Sequence, residues 1–441
     1  MNESDRGGVG EVRLARRDAA SIRATRRGAV DPEALVEARR IVEAVGERGS
    51  AAVRHYAVRF GEIAPDEDLV ARGPELTAAI GSIDEATRGL IERAAERVGA
   101  FAAAQRRALG NIEVPVHGGG GVAGHRFVAV ESAGCYVPGG RYPLPSSAIM
   151  TAVPAGVAGV ERVWSASPGA GAATIAAAAL SGAQAVLRVG GAHAIAALAF
   201  GLPDEGLDPV DVIVGPGNKW VTAAKHVVSA VCGIDMLAGP SEVLIIADDS
   251  AEAPIIAADM LAQLEHDADA RAVLVTTSEG LVQGVERAIA QQLATLPTRD
   301  VVLRSLRNSF AVTVQSVEQA VAVSDAIGPE HLQVMTRGAS AVAERCRRYG
   351  AVFVGPGTAE VLGDYGAGPN HTLPTGGSAR HSSGLSVLTF MQLRTGLTLD
   401  RQSPAAAALY RDAAAFGRLE GLEAHARAAE ARSAAVQPRG V

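Results

Sequence analysis

From Cys135 onward, short β-branched runs alternate with alanine-rich stretches of helical spacing, which restricts this part of the chain to a parallel sheet covered by helices. RVWSAS, AVLRVG and DVIVG are each followed by Gly or Pro and then by a helical pattern. The alternation resumes in EVLIIAD, RAVLVTT, FAVTV, LQVMT and AVFVG. Two successive α/β units follow, one around residues 130 to 240 and one around 241 to 360. A duplication would account for them, although no residue-level repeat marks it.

The flanks read differently. Residues 32 to 108 carry helical periodicity with acidic and basic residues alternating around apolar positions, as in PEALVEARRIVEAVGERG, so a helical opening region is expected. The glycine tract Gly118 to Gly121 formally contains GxGxxG, but the extended run HRFVAVES follows it where a dinucleotide fingerprint needs a helix. A hairpin or linker is expected there. After about residue 385 strand signals stop, and SPAAAALYRDAAAFGRLEGLEAHARAAEARSAA predicts two helices with too little apolar surface to stand alone. Such a tail must pack on something, and a second subunit is one candidate host. The expected division is a helical region over 1–125, α/β units over 126–240 and 241–385, and a helical tail over 386–441.

At 441 residues, with 48% hydrophobic but only 4% aromatic residues and 50 glycines, the core must be built from Ala, Val, Leu and Ile at close backbone approach. Forty-one basic against 48 acidic residues give a formal charge of -7 without a basic domain, which disfavours nucleic-acid binding. Cys135, Cys232 and Cys346 are too few and scattered for a disulfide framework or a thiolate zinc site, so a reducing cytoplasm is expected. MNESDRGGVGEVRLARR lacks the apolar core of a signal peptide and reads as a soluble helical start; no segment has the apolar length of a membrane span.

Four sites carry candidate chemistry. DMLAQLEHD predicts a helix on which Gln263 and His266, three apart, can converge on one ion, although such a pair is more often surface or capping chemistry. Asp364 follows the strand AVFVG in a glycine-rich loop suited to projecting a carboxylate, or to an Asx-turn. Glu330 and His331 follow Gly-Pro where a loop enters the strand LQVMT. Neighbours there point in different directions, so both can approach one reacting carbon, with His331 the better base near neutral pH; an exposed turn pair is the bland alternative. His425 lies in the tail, in EGLEAH. Catalytic zinc needs a few N or O ligands with a position left open, and these residues supply them beside an acid/base pair. VGPGNKW and VGGAHAIAALAFG each follow a strand and precede a helix, so their amides could meet a phosphate at a helix N-terminus or make close-packed turns.

Taken together, CYVPGG, VGPGN, GIDMLAGPSEV, QLEH, GPEHL, GDYGAGPNHTLPTGG, SSGLSV and EGLEAHARA occur in the order found in the histidinol dehydrogenase family, which the chain resembles over roughly residues 35 to 432. The resemblance implies two incomplete Rossmann-like parallel-sheet units between a helical N-terminal region and a helical C-terminal tail. It implies a homodimer with one zinc per subunit that oxidises L-histidinol through the aldehyde to L-histidine, reducing two NAD. By motif, the zinc ligands would be Gln263, His266 and Asp364 with His425 donated by the other subunit. His331 would take the alcohol proton as hydride leaves and assist the second transfer; Glu330 would activate water against the aldehyde. Ser241, His371 and Glu420 match substrate-contact positions, alongside the ligands and His331, and Tyr136, His193 and Asn218 match positions lining the NAD site. His193 stands where the family usually has glutamine.

CYVPGGRYPLPSS and GHRFVAVES look closer to relatives that oxidise other primary alcohols, such as the sulfopropanediol dehydrogenases, whereas GPSEV and GDYGAGPNH favour the histidinol branch. L-histidinol is therefore the expected substrate, with another small polar primary alcohol, oxidised by the same zinc and NAD chemistry, as the alternative. A zinc hydrolase, with Glu330 activating metal-bound water, leaves VGGAH and VGPGN without a cofactor role. A noncatalytic metal-binding module has no use for an intact Glu330 and His331.

Overall fold

The computed structural model describes residues 12–22, 30–116, 118–139 and 143–433. The chain divides into two compact units, 1–104 with 130–390, and 105–129 with 391–441.

The larger unit holds two six-stranded sheets. In the first, the order is Val70–Arg72, Ala185–Leu187, Arg162–Ala166, Ser132–Tyr136, Val212–Val214, Gly233–Ile234. In the second it is Ala15–Arg16, Phe310–Thr313, Arg271–Thr276, Glu242–Ala247, His331–Met335, Ala351–Val354. Setting aside the first-named edge strand of each, both sheets run third, second, first, fourth, fifth in chain order, and all those pairs are parallel. This is the doubly wound order short of its sixth strand, occurring twice. The repeat is thus carried by topology, where residue identities leave no trace of it.

Alanine makes the close packing possible. The Gly191–Phe200 helix buries Ala192 through Ala199, with five of those side chains being methyl groups. It packs against both the Pro32–Arg48 and Lys219–Val228 helices. In the second sheet, Leu244, Ile246, Val273 and Val275 face one apolar layer, and Val243, Ile245, Ala272 and Leu274 the other. Such two-faced burial explains why these strands read as continuous apolar runs.

The opening region is less purely helical than its periodicity predicts. Helices Pro32–Arg48, Ser50–Arg59, Pro74–Ser82 and Glu85–Ala108 form, but Val70–Arg72 pairs antiparallel with Ala185–Leu187. The start was expected to be helical. Residues 1–11 lie outside the described residues, and Ala15–Arg16 is a strand paired with Phe310 and Ala311. Glu286 explains that choice, since its carboxylate accepts from the Leu14 amide at 2.7 Å and from Arg16 Nη1 at 2.7 Å. A tertiary partner thereby overrides local preference.

In the smaller unit, Ile112–Pro115, Gly121–Ala129 and Met391–Leu399 form an antiparallel sheet. The GxGxxG tract is a hairpin entry, as its following strand implies. Met391–Leu399 corrects the expectation that strands end near residue 385. Met391, Leu393, Leu397 and Leu399 alternate with polar residues and Gly396, a period of two carried without Val or Ile. The tail helices form as expected, at Pro404–Leu419 and Glu423–Ser433. No helix among the described residues is long and apolar enough to cross a membrane.

Candidate active site

The chemistry gathers at the amino edge of the second sheet. His331 is the first residue of its strand and lies in register with Val243, so the Gly-Pro turn delivers Glu330 and His331 beside the start of Glu242–Ala247. Both are buried. Glu330 Oε2 accepts from the Glu242 amide at 2.9 Å. Ser241 immediately precedes that strand, and its carbonyl accepts from the Arg271 amide at 3.1 Å.

Gln263, fully buried near the end of the Ala253–Leu264 helix, places Oε1 3.0 Å from His331 Nδ1. His266 lies just past the helix rather than on it, because the chain caps at Glu265 and turns. The side chains still converge, with His266 Nε2 3.5 Å from Asp364 Oδ2. Asp364 closes the short helix Val361–Asp364, where an open glycine loop was expected. His371 continues the cluster: its Nδ1 is 3.2 Å from the Asp364 carbonyl and 3.7 Å from Oδ1, and Ser147 Oγ meets Nε2 at 3.2 Å.

Glu360 completes the group and was missed in the sequence. It has no solvent exposure, and its Oε1 is 3.2 Å from His331 Nδ1. Donor atoms of His331, Glu360 and Asp364 all lie within 4.8 Å of one another. The available signal was the four-residue spacing of Glu360 and Asp364 across one helical turn. Ser147 carried no signal beyond its place after CYVPGG.

Burial and charge divide the titrations. Burial pushes Glu330 well above the carboxylate range and Glu360 up to about 8. Burial also lowers His331 to about 4, against the pull of the Asp364 charge, so the imidazole is neutral at pH 7 and able to accept a proton. Burial lowers His371 as well. His266 is raised by its hydrogen bond to Asp364. Against burial, the same bond and the surrounding imidazoles hold Asp364 below its usual range. Neighbouring groups pushed apart in this way are what acid/base chemistry requires.

The donor set suits a divalent cation. Both Glu360 oxygens are buried without a hydrogen-bond partner among the described residues, which leaves acceptor capacity beside His331 and Asp364. Gln263 Oε1, His266 and Asp364 supply the mixed N/O ligands that zinc accepts.

Tyr136 ends its strand, and His193 and Asn218 lie past the carboxyl ends of theirs, so all three sit at the usual ligand edge of an open α/β sheet. The two glycine loops there are close-packed turns. In VGGAH, Gly190 N donates to Glu62 Oε2 at 3.1 Å and Gly191 N to the Tyr136 hydroxyl at 3.1 Å, so neither amide awaits a phosphate. His193 is turned into the core between Tyr56 and Phe60, with Nε2 2.8 Å from the same Glu62 oxygen. In VGPGN, Gly215 N donates to Asp235, and a Cβ on Gly215 would stand 2.1 Å from the Tyr136 carbonyl. Asn218 caps the Lys219–Val228 helix through Oδ1.

Glu420 and His425 belong to the smaller unit. Glu420 ends the first tail helix, His425 lies on the second, and both are exposed.

A family model described as histidinol dehydrogenase matches residues 24–433. A histidinol dehydrogenase of Parasynechococcus marenigrum (strain WH8102) is 45% identical over 403 residues, covering 89% of each chain. One from Bradyrhizobium diazoefficiens is 44% identical over 417 residues, 93% of this chain and 95% of the relative. The crystal structure of histidinol dehydrogenase from Elizabethkingia anophelis superposes with a TM-score of 0.86 at 30% identity, covering 95% of this chain and 98% of that one. Likeness of this extent takes in both sheets and every residue of the cluster, and the chain belongs to the histidinol dehydrogenase family.

Proposed function

We propose that the protein oxidises L-histidinol through L-histidinal to L-histidine, consuming two NAD, as a step of histidine biosynthesis. The observation that carries this is the buried Glu330–His331 pair joined to Gln263, Asp364 and His371 at one sheet edge, in a member of this family.

His331 accepts the hydroxyl proton at Nε2, because Nδ1 is turned toward the oxygens of Gln263 and Glu360. Loss of that proton and of hydride to NAD leaves the aldehyde. For the second oxidation, Glu330 takes a proton from water at Oε1, since Oε2 is held by the Glu242 amide. The water oxygen adds to the aldehyde carbon as His331 returns its proton to the aldehyde oxygen, and a second hydride then leaves to a second NAD with His331 again taking a hydroxyl proton. One closed site for both steps keeps the aldehyde from hydration and side reactions in bulk solvent. Gln263, His266 and Asp364 would hold a zinc ion, one per subunit, which when bound anchors the unreacting end of the substrate as a Lewis acid. Ser241 and His371 border the same space. Tyr136, His193 and Asn218 would surround the NAD site, with His193 acting through the Glu62-supported turn.

Glu420 and His425 would be supplied across a homodimer. Exposed Phe416, Leu419 and Leu422 beside them support that reading, since a partner would cover this apolar surface. Buried, unpaired Cys135, Cys232 and Cys346 suit a cytoplasmic location. The test is turnover of L-histidinol against a sulfonated propanediol by zinc-loaded protein with NAD. A kcat/KM at least about 100-fold higher for L-histidinol is expected, as a site built for polar groups rejects analogues lacking them. Preference for the sulfonated alcohol would overturn the assignment.

A further inference from the structure

Glu360 is a carboxylic acid with no solvent exposure and no well-formed hydrogen bond to either oxygen among the described residues. Burying such a group undonated costs several kcal/mol in stability, so its retention needs a reason. The nearest polar hydrogen available to it is on His331, whose Nδ1 stands 3.2 Å from Glu360 Oε1.

That nitrogen has a second acceptor. Gln263 Oε1 lies 3.0 Å from it. With oxygens from two side chains directed at one ring nitrogen, Nδ1 is the atom that carries hydrogen, which leaves Nε2 bare. The two acceptors differ in a way that matters. A glutamine binds a cation through its carbonyl oxygen, the same atom that here meets His331, whereas Glu360 has both oxygens uncommitted. Hydrogen bonds of this kind are often long in unliganded sites and tighten on loading.

We propose that Glu360 is the positioning residue for His331: when Gln263 Oε1 engages the metal, Glu360 takes the Nδ1 hydrogen and holds the ring with bare Nε2 toward substrate. Glu360 touches neither substrate nor reacting atoms in this role. It fixes the tautomer and orientation of the group that does, as carboxylates behind reactive imidazoles do elsewhere. The rival hydrogen-bond partner for the ring is the Glu242 main chain, which also faces it.

The inference rests on His331 as proton acceptor and Gln263 as ligand, and its test is separable from that reading. Zinc-loaded protein labelled with 15N-histidine reports the ring tautomer directly, with the His331 signals assigned by their loss in His331→Gln. Wild type is expected in the Nδ1–H form, and Glu360→Ala is expected to shift His331 to Nε2–H. In steady-state assays Glu360→Ala should lower kcat by about 100-fold, the scale of a misplaced acid/base group, with KM and zinc content within about threefold of wild type. Glu360→Gln, isosteric and still offering a carbonyl acceptor, should recover about tenfold of that loss and keep the Nδ1–H form. An Nε2–H ring in wild type, an unchanged tautomer in Glu360→Ala, or loss of zinc in place of kcat would overturn the proposal. A wild type that shows the Nδ1–H signature but does not oxidise L-histidinol would refute the functional reading and leave the positioning role standing.

Discussion

Lys225 offers a quantitative test of how the first sheet holds its glycine loop. It is 3% exposed, and Nζ donates to Asp235 Oδ1 at 2.6 Å and to the Gly215 carbonyl at 2.6 Å. Asp235, 1% exposed, also accepts from the amides of Gly215 at 2.7 Å and Met236 at 2.6 Å. Both polar groups of Gly215 are therefore clamped, at a residue whose φ of +118° and contact with Tyr136 already require glycine. Lys225→Met keeps the volume but leaves a buried carboxylate without its cation and a carbonyl without its donor. Removing one partner of a buried pair costs about 3–5 kcal/mol. Because Asp235 retains two amide donors, the loss belongs at the low end, about 3–4 kcal/mol, a large share of a typical 5–15 kcal/mol stability. Urea unfolding followed by circular dichroism measures it, and Lys225→Met with Asp235→Asn should regain about 1–2 kcal/mol as the stranded charge disappears. A single-variant loss under about 1 kcal/mol, or a double variant no more stable than the single, would refute the clamp.

Two further outcomes are expected. Glu286→Gln should lower stability by about 1–2 kcal/mol at pH 7, the modest value fitting a half-exposed Arg16 partner. Burial opposes ionisation of Glu286, but Arg16 and the Leu14 amide hold it below the ordinary glutamate value. Its contribution is therefore full above the unfolded-state value and disappears as pH falls through the lower folded one, so the two proteins should converge in acid; a constant gap down to pH 2 would contradict this. Mixing His425→Ala subunits with His331→Ala subunits should restore some activity if His425 crosses the dimer, and verified heterodimers without recovery would place both residues in one subunit's site.

Much of this was legible in the chain because parallel strands buried on both faces announce themselves as apolar runs. RVWSAS through AVFVG each became a strand, and Glu330–His331 fell where the Gly-Pro turn meets LQVMT. Met391–Leu399 escaped because its apolar positions are Leu and Met around a glycine, without the Val and Ile that mark the other strands. His266 was placed on a helix that stops at Leu264, since spacing does not reveal where a cap intervenes. Glu360 was hard to single out for a different reason, its four-residue spacing from Asp364 being the one signal. A lone glutamate in TAEVLGD reads as a solvated helix residue, and only the tertiary fold places it behind His331. The glycine loops read as phosphate cradles or tight turns alike, and the Glu62 and Asp235 carboxylates that settle the matter lie far off in sequence or across the following helix.

The central claim is that one site carries out two successive oxidations of one substrate. Zinc-loaded protein incubated with limiting L-histidinol and excess NAD tests it by the ratio of NADH formed to L-histidine produced. Two NADH for each histidine is the predicted result. One NADH with aldehyde accumulating in solution, or none at all, would contradict it.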